Sequence, residues 1–306
     1  MTMLPASRSR GLPAAPLAAC VGLGIAALSW ALVPVFQKQL LAVLSPAEIT
    51  FVRFFASGVM LLGILVVTRP RELYEVVRRS PCGVLATSIC GPLLAMSAFT
   101  FGIQTVGVGL AAVIVATEPM LTYLIAVGLG RERWSPSRAL SILLSFAGLA
   151  GVVTADGGGG GVYWLGLAAV CLTPAVWAVN TVISKDLVDG SSSVALVTVN
   201  FLVSSMCLAP FVGFDGLARL EVMGRSDWLA LGFCIVPGTV ISYCIWYALL
   251  RFLTPSTLSV SLYVIPVFTV LASVAVLDEQ LSIMKTAGIA VVLYGLYLVT
   301  LKHDGD

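Results

Sequence analysis

Ten apolar runs constrain this chain more than any other feature. Each is about 20 residues long, enough to cross a hydrocarbon core roughly 30 Å thick as a helix. They occupy residues 17–37, 47–67, 82–103, 107–129, 138–155, 162–184, 194–214, 228–250, 256–277 and 282–301, numbered below as spans 1 to 10. Hydrocarbon offers no water to bond, so each segment has to satisfy its own backbone N–H and C=O groups, and a helix does so. A soluble reading is excluded by composition. AVILMFWYC residues make up 59% of the chain and charged residues 10%, against roughly 45–50% apolar with Gly and about 25% charged in soluble domains. With a mean hydropathy of +1.03, a folded sphere of this size has too little interior to hide its apolar surface. The expected fold class is an all-α integral membrane protein of ten transmembrane helices, with the lipid bilayer as its first partner.

Span 1 is too long for the apolar core of a signal peptide and lacks a clear small-x-small cleavage site. Residues 1–16 read as a cytoplasmic tail, and 302–306 as a second one. Of the 17 basic residues, 12 fall in segments on the side of the N-terminus, four on the other side, and Arg53 lies inside a span. The positive-inside rule then puts both termini in the cytoplasm of a multi-pass cell (inner) membrane protein. A net charge of +2 leaves no footprint for nucleic acid. The seven cysteines lack metal-ligand spacing and read as buried free thiols.

The two halves of the chain repeat one another with a fixed shift of 147 positions. It pairs Trp30 with Trp177, Lys38 with Lys185, Phe54 with Phe201, Ser57 with Ser204 and Gly91 with Gly238. It also pairs Pro119 with Pro266, Glu132 with Glu279 and Gly148 with Gly295. Leu and Ala matches arise by chance in membrane chains, whereas coincident Trp, Lys, Pro and Glu pairs without a gap do not. The expected units are 17–155 and 162–301, joined by a flexible Gly linker at 156–161. Five spans per unit is an odd number, so the second unit enters the membrane from the opposite face. Two inverted five-helix repeats form the architecture of secondary transporters, with the substrate site near the midplane between them.

Three segments carry a family likeness. Trp30 to Lys38 reads W-A-L-V-P-V-F-Q-K, 118–135 reads E-P-M-L-T-Y-L-I-A-V-G-L-G-R-E-R-W-S, and 266–282 reads P-V-F-T-V-L-A-S-V-A-V-L-D-E-Q-L-S. These resemble the two EamA repeats of the drug/metabolite transporter superfamily over roughly residues 17–301. The resemblance implies a bundle in which spans 1–4 and 6–9 surround a central cavity, with spans 5 and 10 packed behind. It is almost silent on substrate.

Ionisable groups within the spans are the first candidates for function, since each costs at least ~2.5–3.5 kcal/mol to insert. Glu118 sits about 15 Å into span 4, at the midplane. Arg53 lies in span 2, nearer the outer side. Together they read as a charge gate or an anchor for a zwitterion, Arg53 holding a carboxylate and Glu118 an ammonium group or a proton. The blander reading has Arg53 snorkelling outward or pairing with Glu48, and Glu118 bonded locally. Their repeat mates are Asn200 and Ile265, so neither charge is needed merely to hold the scaffold. Pro119 and Pro266 occupy matching positions and read as paired hinges. Trp30, Trp177, Asn180, Tyr243, Trp246 and Tyr263 are the expected cavity lining. Glu132 and Glu279, beside Ser135 and Ser282, suit helix capping.

No catalytic constellation, Walker sequence or dinucleotide fingerprint occurs, and no metal or other cofactor is expected. The chain is therefore read as a secondary transporter, not an enzyme, moving a small polar metabolite by alternating access. Amino-acid-type export leads, with protons as the candidate coupling ion. The rival reading is a proton-coupled drug exporter. Its small multidrug relatives carry a carboxylate in the first helix, and spans 1 and 6 have none. A non-transporting scaffold is the third.

Overall fold

The computed structural model describes residues 16–130, 161–260 and 264–278, with isolated positions elsewhere up to 294. Among the described residues every regular element is helical. Seven helices among the described residues are long and apolar enough to cross a membrane: Ala19–Leu40, Pro46–Thr68, Pro81–Val106, Val108–Gly128, Gly161–Val188, Ser193–Val212 and Arg225–Leu250. A shorter apolar helix, Ile265–Leu277, occupies span 9. The expectations for spans 5 and 10, for the linker and for Glu132, Glu279 and Ser282 fall on residues outside those described. One element went unforeseen. Pro70–Arg79, between spans 2 and 3, is a short amphipathic helix rather than a loop.

The bundle wears its apolar side outward. Ile25, Leu28, Phe55, Ile64, Val67, Phe211 and Leu229 are exposed, while Gln37, Arg53, Ser57, Thr87, Ser88, Thr100, Glu118, Asn180 and Asn200 are buried. This inverts the rule for water-soluble proteins and is what a hydrocarbon solvent demands. The cysteines follow it. All seven are free, but only Cys234 is buried, and Cys20, Cys82, Cys171 and Cys207 lie on the outer surface, where a thiol contacts lipid at little cost.

Local chemistry sets the helix boundaries. Ser45 closes a capping box with Glu48: Glu48 N donates to Ser45 Oγ (3.3 Å) and Ser45 N donates to Glu48 Oε2 (2.8 Å), while Pro46 starts span 2. At the matching place in the second half, Ala195 N donates to Ser192 Oγ at 3.4 Å. A single residue, Gly107 with φ 84°, separates spans 3 and 4, a left-handed conformation that favours glycine. Spans 3 and 8 each contain a π-helical stretch, Ile89–Ala95 and Val236–Ile241, at matching repeat positions around Pro92 and Pro237. Span 4 is discontinuous. It runs as Val108–Val115 and then Glu118–Gly128, with Pro119 in the first turn of the second piece. Span 9 contains the described helices Pro255–Val260 and Val264–Leu277.

Spans 2 and 7 pack against each other along their length and run antiparallel. Arg219, just beyond span 7, reaches Glu48 at the start of span 2 (3.5 Å), while Arg79 bonds the Gly190 carbonyl that precedes span 7. Phe54 and Phe201, themselves repeat mates, meet at the centre of this contact with ring centroids 5.0 Å apart. Other contacts come in matching pairs. Ser57 Oγ donates to Ile235 O (3.4 Å) and Ser204 Oγ to Ser88 O (2.7 Å). Lys38 donates to the carbonyls of Ile103 and Gln104 (both 2.9 Å), and Lys185 to those of Leu250 and Arg251 (2.9 and 3.0 Å). Each lysine thus neutralises the C-terminal end of the third span of its own half. The two lysines mark opposite ends of the bundle.

Candidate functional site

A cavity of about 110 Å³ lies between the two halves. From the first half it is lined by Trp30, Val33, Gln37, Arg53, Phe99 and Glu118, among others. The second half contributes Thr173, Trp177, Tyr243, Ile265, Pro266 and Thr269. Its floor is aromatic. Tyr243 stands between Trp30 and Trp177, edge-on to both at 5.6 Å, and Trp30 also meets Trp246 at 5.5 Å. The helices can approach this closely because small residues sit at the contacts. A Cβ on Gly238 would collide with Val33, and one on Gly102 with Val170.

Arg53 is 2% exposed and does not snorkel. Its Nε donates to Thr239 Oγ at 2.5 Å and its Nη2 to Gly238 O at 3.3 Å. The same carbonyl accepts from Trp30 Nε1 at 3.0 Å, so the π-helical stretch of span 8 organises both the tryptophan and the arginine. Glu48 is taken up by its own helix cap and by Arg219. Glu118 is completely buried. Its Oε1 accepts from Thr122 Oγ (2.7 Å) and Ser259 Oγ (3.1 Å), the Thr181 hydroxyl stands beside the carboxylate, and Oε2 makes no close hydrogen bond among the described residues. Arg53 and Glu118 form no ion pair with each other, although both face the one cavity. Each keeps neutral partners, so a basic and an acidic side chain face the same cavity without pairing with each other.

The other expected site residues divide. Trp30, Trp177 and Tyr243 line the cavity, as does Pro266. Pro119 is buried behind the wall, directly after the break in span 4. Asn180 and Trp246 are not among the residues that line the cavity in this conformation. Asn180 Nδ2 donates to Tyr247 Oη (3.1 Å), and Trp246 is buried beneath Trp30. Tyr263 lies outside the described residues.

Several lining groups were not anticipated. Gln37 donates to Thr100 Oγ at 3.0 Å, and Thr269 donates to Ala31 O at 2.9 Å. Gln37 was detectable in principle as a polar residue one position inside the span-ending Lys38. The hydroxyls of Thr239 and Ser259 carried no signal, since a serine or threonine in a membrane helix commonly bonds its own backbone and faces anywhere.

The EamA-like transporter family is matched twice in this chain, by residues 17–154 and 164–301. The chain belongs to that family. Its relatives are similar over most of their length. An uncharacterized transporter of Archaeoglobus fulgidus is 25% identical over 277 residues, 90% of this chain and 95% of the relative. The uncharacterized inner membrane transporter YedA of Escherichia coli is 25% identical over 84% of this chain and 82% of its own. A WAT1-related chloroplastic protein of Arabidopsis thaliana is 24% identical, with 90% of this chain and 68% of that protein covered. A crystal structure of 19% sequence identity superposes with a TM-score of 0.67 over 93% of this chain and 96% of the other, a likeness of fold. The EamA chain described here is thus a multi-pass membrane protein of a transporter family, built from a duplicated unit.

Proposed function

We propose that this EamA protein is a secondary transporter that carries a small zwitterionic metabolite of amino-acid type across the inner membrane by alternating access, in the direction of export. The observation that carries the reading is the pair of buried basic and acidic side chains, unpaired with each other, on one cavity. Arg53 would hold the substrate carboxylate through its guanidinium fork, and Glu118 the ammonium group. An intramembrane charge kept with neutral partners only is expensive, and substrate relieves that cost on entry.

The two halves act as inverted five-helix repeats. This is supported by the antiparallel packing of spans 2 and 7 and by the reciprocal contacts Ser57–Ile235 and Ser204–Ser88. Reciprocity of this kind, with each half giving the same group to the other, is the mark of a two-fold relation. Both termini lie in the cytoplasm, so the Lys185 end is the cytoplasmic one. Spans 4 and 9, which carry Pro119 and Pro266 at matching positions, are the flexing elements, because a proline leaves one helix bond unmade and span 4 is already interrupted just before Pro119. Energy comes from the substrate gradient or from protons carried on Glu118, and no enzymatic step is involved.

One observation favours the drug-exporter reading. Trp30, Trp177, Tyr243 and Phe99 give the cavity a largely apolar wall that suits an amphipathic organic cation. Purified protein in liposomes, loaded in parallel with radiolabelled amino acids, other small metabolites and a cationic dye, separates these readings. Saturable flux of a zwitterion, competed by other zwitterions, is the expected result. Flux of the dye alone would overturn the assignment, and no flux of any solute would return the chain to a scaffold.

A further inference from the structure

The cavity wall is asymmetric in a way that the repeat makes legible. At the centre both members of a repeat pair line it, Trp30 with Trp177 and Met96 with Tyr243. Toward the Lys38 end it is lined by Val33, Gln37, Arg53 and Phe99. Their mates at the 147-residue shift are Asn180, Ser184, Asn200 and Trp246, which lie toward the Lys185 end, sealed away from the cavity.

Two of these four sealed residues carry a buried polar atom with no partner among the described residues, Asn180 Oδ1 and Trp246 Nε1, while the Asn200 amide has only the Tyr247 hydroxyl beside it. The fourth, Ser184, makes only a 3.4 Å contact to Tyr247 Oη. Other groups of the cluster are satisfied. Thr87 and Ser88 donate to Asn200 Oδ1 at 3.1 and 3.0 Å, and Asn180 Nδ2 donates to Tyr247. Orphaned buried donors and acceptors are rare in folded proteins and call for an explanation, more so in a membrane. Here they coincide with the positions that the repeat makes equivalent to cavity wall.

We propose that Asn180, Ser184, Asn200 and Trp246 are a second, closed wall of the same transport pathway, opened to the Lys185 side when the bundle closes at its Lys38 end. This inference rests on the alternating-access reading above. In that second conformation the amides and the indole N–H meet water and the substrate's polar groups, taking the places of Gln37 and Arg53. Val33, the mate of Asn180, is apolar, and Asn200 stands where the other face has an arginine. The Lys185 face therefore recognises the substrate carboxylate by neutral dipoles and the Lys38 face by a full charge, so the two faces bind a zwitterion unequally.

Cysteine accessibility tests the proposal independently of transport. In a protein whose seven native cysteines are replaced, a single cysteine at Asn180→Cys or Ser184→Cys is titrated with a membrane-impermeant maleimide from each side. Labelling from the Lys185 side about tenfold faster than from the Lys38 side is expected, with the reverse order for Val33→Cys. Two reporters guard against one variant failing to fold. If Val33→Cys labels from the Lys38 side while Asn180→Cys and Ser184→Cys stay inert from both, the four residues are sealed packing and the proposal is overturned. Solute flux, measured in the same liposomes, separates the two claims. Flux without labelling at Asn180 and Ser184 removes this inference alone. Labelling from the Lys185 side without flux of any solute upholds the second wall and removes the transporter reading.

Discussion

Replacing Glu118 by glutamine removes one charge from the cavity and almost nothing else. The side chain is fully buried, the hydroxyls of Thr122 and Ser259 both bond Oε1, and the Thr181 hydroxyl stands beside the carboxylate. A glutamine carbonyl oxygen accepts from both in the same place. Its amide N–H₂ falls where Oε2 now makes no close hydrogen bond. Leaving that donor unpaired costs about 1–3 kcal/mol, offset by relief of the larger cost of a buried carboxylate. Glu118→Gln is therefore expected to express and fold like the parent. Its effect on transport follows from the bond it removes. A hydrogen bond to a charged group contributes about 1.5–3 kcal/mol, so losing a carboxylate–ammonium contact weakens substrate binding roughly 10- to 150-fold. If Glu118 also carries the coupled proton, the dependence of rate on pH flattens in the same variant, because glutamine has no proton to exchange. The assay is initial-rate flux in proteoliposomes, as a function of substrate concentration, from mildly acidic to mildly alkaline pH. Unchanged apparent affinity, maximal rate and pH profile would refute the reasoning and reduce Glu118 to a local hydrogen-bond acceptor for Thr122 and Ser259.

Arg53→Lys keeps the charge but loses the fork that spans Thr239 and Gly238. The expected outcome is a weaker apparent affinity for carboxylate-bearing substrates with little change in thermal stability, read by flux and by detergent-phase melting of the same preparation. Phe54→Ala removes a fully buried ring packed on Phe201 and Tyr243. The loss should fall toward the low end of the ~3–5 kcal/mol that Phe→Ala costs in water-soluble cores, because in a bilayer only packing is lost, and a lowered melting temperature checks it. Gly102→Ala forces a Cβ into Val170 and the Gly166 carbonyl where spans 3 and 6 touch. Overpacking of this kind costs about 1–3 kcal/mol. Gly24→Ala, with open space around its Cβ, should leave the melting temperature unchanged in a parallel measurement.

What the sequence determined by itself were the features that a solvent and a duplication impose. Apolar length sets which segments leave water, because each backbone group in lipid needs a partner within its own segment. The 147-residue shift was readable because Trp, Lys, Pro and Glu recur by chance far less often than Leu or Ala. Trp30, Trp177, Arg53 and Glu118 stood out by the same logic, as bulky or charged groups that lipid tolerates only with reason. Tertiary structure decided the rest. No linear pattern indicates that Glu118 bonds Ser259 across 141 positions, or that Arg53 turns to Thr239 and Gly238 and not to Glu118. Nor does any pattern tell that Asn180 and Trp246 lie behind the wall while their mates Val33 and Phe99 line it. Two repeats of one ancestral unit carry the same local preferences at matching positions. Which copy faces the cavity is a property of how the halves are tilted against each other, and a symmetric sequence pattern does not contain that angle.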